Sequence, residues 1–263
     1  MTRAYRAIVG FIQLLTWIFF RRVEVSGLEH LPTDRGGILI AWHPNGLIDP
    51  CLILASFPRT VIFGARHGLF KWPLLGWLMR GIGTVPIYRA ADAKRITDDQ
   101  RRSGNLQSID ALAEAVASGS FSALFPEGVS HDEPHPIVLK TGAARLYYRA
   151  RQLAGPETSS PVIVPVGLHY DDKSVFGSKV LVAFHPPLVL DAELDVTPAV
   201  DEPAETGRER CAELTAEFDR VLRDVIFATD DWELHRLFMR ARSLIRAERA
   251  TRADKPALEP RME

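Results

Sequence analysis

The chain has 263 residues, 46% of them hydrophobic and 25% charged, with a formal net charge of −1; this suits one large α/β domain with a sizeable core and offers no overall charge for holding nucleic acid. Two cysteines, Cys51 and Cys211, are too few for a disulfide framework or a Cys-built zinc site and fit a reducing cytosolic compartment. The eight histidines include no H-E-x-x-H spacing, which excludes a helix-borne metalloprotease centre.

Taken in order, the chain opens with Ala7–Phe20, apolar except for Gln13 and Thr16 and flanked by Arg3, Arg6, Arg21 and Arg22. At about 14 residues it is short of the ~20 needed to cross a bilayer, and no small-residue cleavage pattern follows. The favoured reading is an amphipathic helix in the membrane interface, with Trp17, Phe19 and Phe20 in the acyl boundary and the arginines at phosphates. The alternative is a helix packed on the domain's own core.

Arg22–Gly27 alternates and predicts a strand. Ile38–Trp42 predicts a buried strand that ends in His43, followed by the turn Pro44-Asn45-Gly46. Asp49 and Pro50 then predict a helix over Pro50–Ser56, with Asp49 as N-cap. Thr60–Gly64 is a short strand. Leu69–Arg80 is apolar nearly all round, which fits either a buried helix or a surface helix pair that meets lipid. Gly83–Arg89 is a strand ending in a cation, and Asp92–Gly104 a polar loop. Asn105–Ser118 has helical spacing. Ser122–Phe125 is a buried strand ending in Pro126-Glu127-Gly128, and His131–Pro136 is a loop. Lys140–Ala154 is helical; Val162–Gly167 and Lys179–His185 are strands. Val196–Gly207 reads as a linker, Glu209–Val225 and Trp232–Leu244 as helices, and the charged residues beyond Arg246 as a frayed tail. Three stretches result: an interface helix (1–22), an α/β domain (23–195) and a C-terminal helical extension with its tail (196–263). Strands alternating with helices predict an α/β fold with a mostly parallel central sheet and helices on both faces.

Polar residues follow three apolar strands directly: His43, Arg89 and Glu127. Ligands bind at the C-terminal strand edge of open α/β sheets, so a base, a cation and a carboxylate there suggest one convergent site. His43 and Asp49 sit at the two ends of one loop, where a base and its orienting acid belong.

Four blocks carry a resemblance: Trp42-His43-Pro44-Asn45-Gly46-Leu47-Ile48-Asp49-Pro50, Gly83-Thr84-Val85-Pro86-Ile87-Tyr88-Arg89, Leu124-Phe125-Pro126-Glu127-Gly128-Val129-Ser130 and Val162-Ile163-Val164-Pro165-Val166-Gly167. In this order they resemble the glycerolipid acyltransferase family, which includes the glycerol-3-phosphate and lysophosphatidic acid acyltransferases. Lys140-Thr141-Gly142 falls where that family often has Lys-x-Gly. The resemblance implies acyl transfer from acyl-CoA or acyl-ACP, a co-substrate rather than a bound cofactor or metal, to a hydroxyl of a lysophospholipid such as 1-acyl-glycerol-3-phosphate. His43 is then the general base and Asp49 its orienting acid. Arg89 holds a phosphate, Glu127 accepts from acceptor hydroxyls, and Gly128, Asn45 and Lys140 complete the substrate-binding set. With the arginine-flanked apolar N-terminus, the reading is of a protein peripheral to the cytoplasmic membrane face. Transfer to another hydroxylated lipid is a second reading, and a membrane-associated lipid-binding protein without catalysis a third.

The blocks also depart from the family pattern. Five residues separate His43 from Asp49 where four are usual. Neither spacing puts both side chains on one face of a regular helix, so the pair must meet across a loop. Val129 replaces Thr and Ser130-His131 replaces Arg-Ser, which removes a cation beside Glu127; Lys140 or Arg145 could compensate. Cys51, two residues after Asp49, reads as core rather than nucleophile.

Overall fold

A computed structural model describes residues 2–88, 97–155, 160–199, 201–238, 240, 241 and 244. Arg89, residues 92–96 of the expected polar loop and the tail beyond Arg246 lie outside the described residues. The strands are β1 (Arg22–Ser26), β2 (Gly37–Ala41), β3 (Val61–Arg66), β4 (Val85–Ile87), β5 (Phe121–Leu124), β6 (Val162–Tyr170) and β7 (Lys179–Phe184). They form one seven-stranded sheet in the order β1-β7-β6-β2-β5-β3-β4. β6 and β7 pair antiparallel, because the short hairpin between them allows a direct return; the other neighbours are parallel.

The helices are α1 (Arg3–Phe19), α2 (Ile48–Ser56), α3 (Pro73–Gly81), α4 (Asp98–Ala117), α5 (Gly142–Ala154) and α6 (Ala204–Ile226), with residues 232–238 helical as well. They cover both faces of the sheet. On β2, Leu39 and Ala41 join the core formed with α1 and α2, while Ile38 and Ile40 join the one formed with α4, α5 and α6. A strand buried on both sides has no need of alternation, which is why the Ile38–Trp42 run is continuously apolar.

α1 lends Tyr5, Ile8 and Ile12 to the core, and Phe20 just past its end is also buried. The Tyr5 hydroxyl donates to the Val61 carbonyl and accepts from the Val61 N–H. α1 is therefore part of the packed layer, and Phe20 belongs to the core rather than to an acyl boundary. Its opposite face leaves Phe11, Leu14, Leu15, Trp17 and Ile18 exposed. Among the described residues no helix is long and apolar enough to cross a membrane. The 69–80 region is a 3-10 turn followed by α3, which buries Gly76 and Met79 while Trp72, Leu74 and Trp77 stay exposed. It is thus a surface helix.

Several boundaries differ from expectation. α4 starts at Asp98, so residues 98–104 are helix rather than loop. A capping box between Thr97 and Gln100, with Asp98 and Asp99 in the first turn, starts it in a polar stretch. α6 begins at Ala204, inside the expected linker. β6 runs three residues further than expected, to Tyr170, and that extension reaches the site.

Candidate active site

The loop after β2 holds His43 at the C-terminal edge of the sheet. His43 Nδ1 lies 2.9 Å from Asp49 Oδ2, so the pair does meet across the Pro44–Ile48 turn. α2 begins at Ile48 with Leu47 as N-cap, which places Asp49 in the first helical turn instead of at the cap. An anion there is favoured by the helix dipole. The carboxylate turns back over the loop, where Oδ2 also accepts from the Asn45 N–H at 2.8 Å. The Asn45 carbonyl accepts from the N–H groups of Ile48 and Asp49, which closes the turn. Tyr170, from the end of β6, donates its hydroxyl to Asp49 Oδ1. Asp49 is fully buried, and these three donors offset the cost of burying its charge.

An ionised carboxylate can only accept, so His43 Nδ1 carries the proton and Nε2 presents a lone pair. His43 Nε2 has no protein partner among the described residues. The ring stacks on Phe125 at 4.0 Å between centroids and 13° between planes, so its plane is fixed as well as its tautomer.

Glu127 approaches the same histidine from the loop after β5. Its Oε2 accepts from the His43 N–H at 2.8 Å. Its Oε1 takes His131 Nε2 at 2.6 Å and the Ile137 N–H at 3.2 Å. His131 Nδ1 accepts from the Glu133 N–H, which leaves Nε2 as the protonated, donating nitrogen. The His131 N–H in turn donates to the His43 carbonyl. Glu127 is 1% exposed and both its oxygens are engaged by protein donors, so it braces the main chain of His43 where the sequence predicts an acceptor for substrate hydroxyls.

Gly128 has φ of +70° and closes the Phe125–Gly128 turn, and a Cβ on it would come within 2.8 Å of Lys140 Nζ. The glycine therefore lets the exposed Lys140 side chain lie across the turn beside Glu127. Asn45, predicted to bind substrate, has its side-chain N–H2 donating to the Lys173 carbonyl. Lys173 Nζ donates to the Pro44 carbonyl and pairs with Asp132. Asn45 and Lys173 thus fasten the His43–Asp49 loop to the β6–β7 hairpin. Cys51 is pushed up to about 11 by burial and then by the Asp49 charge, so the thiol stays protonated at neutral pH. Among the described residues no group of three or more His, Cys, Asp or Glu side chains could hold a metal ion.

The sequence motifs assign no role to Tyr170, His131 or Lys173. A signal existed for the tyrosine. Val164, Val166 and Leu168 share the face of β6 toward α1 and α2, and continuing the two-residue period puts Tyr170 on that face. No regular rule relates Glu127 to His131, because they meet within a loop.

A family model described as Acyltransferase matches residues 22–169. A chloroplastic 1-acyl-sn-glycerol-3-phosphate acyltransferase of Brassica napus is 26% identical over 172 residues, which cover 61% of this chain and 47% of that protein. The lyso-ornithine lipid O-acyltransferase of Rhodobacter capsulatus is 28% identical over 130 residues, covering 48% of this chain and 42% of that one. The chain thus spans less than half the length of these two relatives. The crystal structure of the 1-acyl-sn-glycerophosphate (LPA) acyltransferase, PlsC, from Thermotoga maritima is similar with a TM-score of 0.50 at 22% identity, covering 83% of this chain and 80% of that one; the likeness shows a shared fold.

Proposed function

The chain belongs to the acyltransferase family, and on that premise we propose that it moves a fatty acyl group from acyl-CoA or acyl-ACP to a hydroxyl of a lysophospholipid such as 1-acyl-glycerol-3-phosphate. The observation that carries this reading is the 2.9 Å contact between His43 Nδ1 and Asp49, which leaves Nε2 as a base at the strand edge. Nε2 takes the proton of the acceptor hydroxyl as its oxygen attacks the thioester carbonyl. Collapse of the tetrahedral intermediate breaks the C–S bond, and the imidazolium returns the proton to the departing sulfur. Asp49 stabilises the imidazolium between these steps. Arg89 and Lys140 hold the acceptor's phosphate.

The test is release of free CoA thiol from acyl-CoA by the purified full chain with 1-acyl-glycerol-3-phosphate. General-base assistance contributes roughly 10²–10⁴ in rate, so His43→Ala should reduce release to background. Near-wild-type release from that variant would sink the mechanism. Arg89→Ala should mainly weaken use of phosphorylated acceptors, and an equal loss with neutral ones counts against its phosphate role.

A phosphate-free acceptor is the second reading. The name of the Rhodobacter capsulatus relative supports it, as does Ser130 standing where the family has a cation beside Glu127. Comparing phosphorylated with phosphate-free lyso-lipids separates the two.

The site of action is the cytoplasmic face of a membrane. Support comes from the exposed stripe Phe11, Leu14, Leu15 and Ile18 on α1, with Trp17 beside it, and from Trp72, Leu74 and Trp77 on α3. Ile8 of α1 lies against Gly81 of α3, so the two apolar surfaces adjoin. Deleting residues 1–22 would strip core residues along with this surface. Leu14→Glu with Trp17→Glu is the cleaner change, and unaltered liposome flotation of that double variant would remove the claim.

A further inference from the structure

The Asp49 carboxylate is held unevenly. Its Oδ2 takes both local donors, the His43 ring and the Asn45 N–H. Among the described residues Oδ1 takes only the Tyr170 hydroxyl, which arrives from 121 residues away in sequence. Without that donor Oδ1 would be a fully buried, unsatisfied oxygen, and the carboxylate could turn about its Cβ–Cγ bond and let go of the imidazole. The two local donors sit on a turn, whereas Tyr170 sits on a sheet strand, paired in register with Val180 of β7. Its ring packs at 6.1 Å from that of Phe20. Burial and then the Asp49 charge push the phenol far above its ordinary range, so it is always a donor. Tyr170 falls one residue past the matched segment 22–169.

We propose that Tyr170 is a positioning residue for the acyl transfer: its hydroxyl locks the Asp49 carboxylate to the sheet, and through Asp49 it holds the ring and tautomer of His43. The proposal rests on the acyl-transfer reading above. Tyr170 does not touch the reacting atoms; it extends the His–Asp pair into a His43–Asp49–Tyr170 chain whose last member stands on the rigid part of the fold.

The test is Tyr170→Phe in the full chain, which removes one oxygen and keeps the ring packing on Phe20. With palmitoyl-CoA and 1-acyl-glycerol-3-phosphate, kcat should fall roughly 10- to 100-fold, the size of one hydrogen bond to a charged group, with KM nearly unchanged. In an Asp49→Asn background the same substitution should cost almost nothing, because Tyr170 acts only through Asp49. Losses that multiply in the double variant, or that fall on KM, would overturn the proposal. A second readout needs no turnover. The low-field proton signal of His43 Nδ1–H, assigned by its loss in His43→Ala, should shift in Tyr170→Phe, and a signal at its wild-type position overturns the contact. If wild type acylates none of the probe acceptors, the acyl-transfer reading fails, and the same signal still decides whether Tyr170 positions His43.

Discussion

Asp49 and Glu127 are both buried, both accept three hydrogen bonds and both reach His43, yet they touch different parts of it. Asp49 meets the imidazole ring; Glu127 meets the main-chain N–H. The first can govern tautomer and basicity, the second where the residue sits. The supports differ too. Two of the Asp49 donors lie within six residues of it, so the turn itself assembles most of that cluster. Glu127 ties the loop after β5 to the loop after β2 across 84 residues, and His131 doubles the tie by donating its N–H to the His43 carbonyl. The distinction is between a carboxylate set on the imidazole and one set on the scaffold.

Substitutions can break that distinction. The largest effect is expected from Asp49→Asn, whose neutral amide stabilises an imidazolium far less than a carboxylate does. A loss of kcat of roughly 10²–10⁴, with an unfolding midpoint close to wild type, is the outcome to look for in parallel kinetics and thermal melts. Glu127→Gln should reverse the emphasis. Its amide N–H2 must face either the His43 N–H or the His131 ring N–H, which leaves donor against donor at a cost of about 1–3 kcal/mol. Denaturant titration should show that loss, with kcat falling because the loop loosens. If Glu127→Gln melts like wild type while Asp49→Asn unfolds, the assignment is backwards.

His131→Ala tests the brace more gently. It deletes one charge-assisted bond to Glu127 and keeps the main-chain bond to His43, so the expected destabilisation is about 1.5 kcal/mol, near the lower end for a bond to a charged group. An unchanged denaturation midpoint would show that the His131 ring does not support Glu127. The smallest effect should come from Cys51→Ala. Cys51 lies beside Asp49 but is held protonated at neutral pH, with its thiol pushed up to about 11. Activity should stay within about twofold and iodoacetamide should not inhibit wild type. Inhibition that Cys51→Ala abolishes would bring the thiol back into the reaction.

How far the site was legible follows from what each residue does locally. His43 and Asp49 could be read because a continuous apolar strand, a Pro-Asn-Gly turn and a helix start are short-range signals. Whether the five residues between them bring ring and carboxylate together is not readable, since a turn has no fixed period. Glu127 was visible as a carboxylate after a strand, but its partners were not: a carboxylate facing substrate and one facing the main chain have the same sequence. Apolar spacing alone makes α4 too short, because polarity masks a helix start that the Thr97–Gln100 capping box announces.

The sequence alone determined the class of the fold and pointed to the candidate base. Apolar runs alternating with helical spacing force an α/β sheet covered on both faces, and the four ordered blocks place a histidine and an aspartate at one strand edge. Only the tertiary structure decided who supports them. Tyr170 reaches Asp49 because β6 lies beside β2 in the sheet and runs on to residue 170, and Glu127 reaches His43 because β5 flanks β2 on the other side. These contacts depend on strand order, and strand order is set by how the whole chain packs rather than by any local stretch of it.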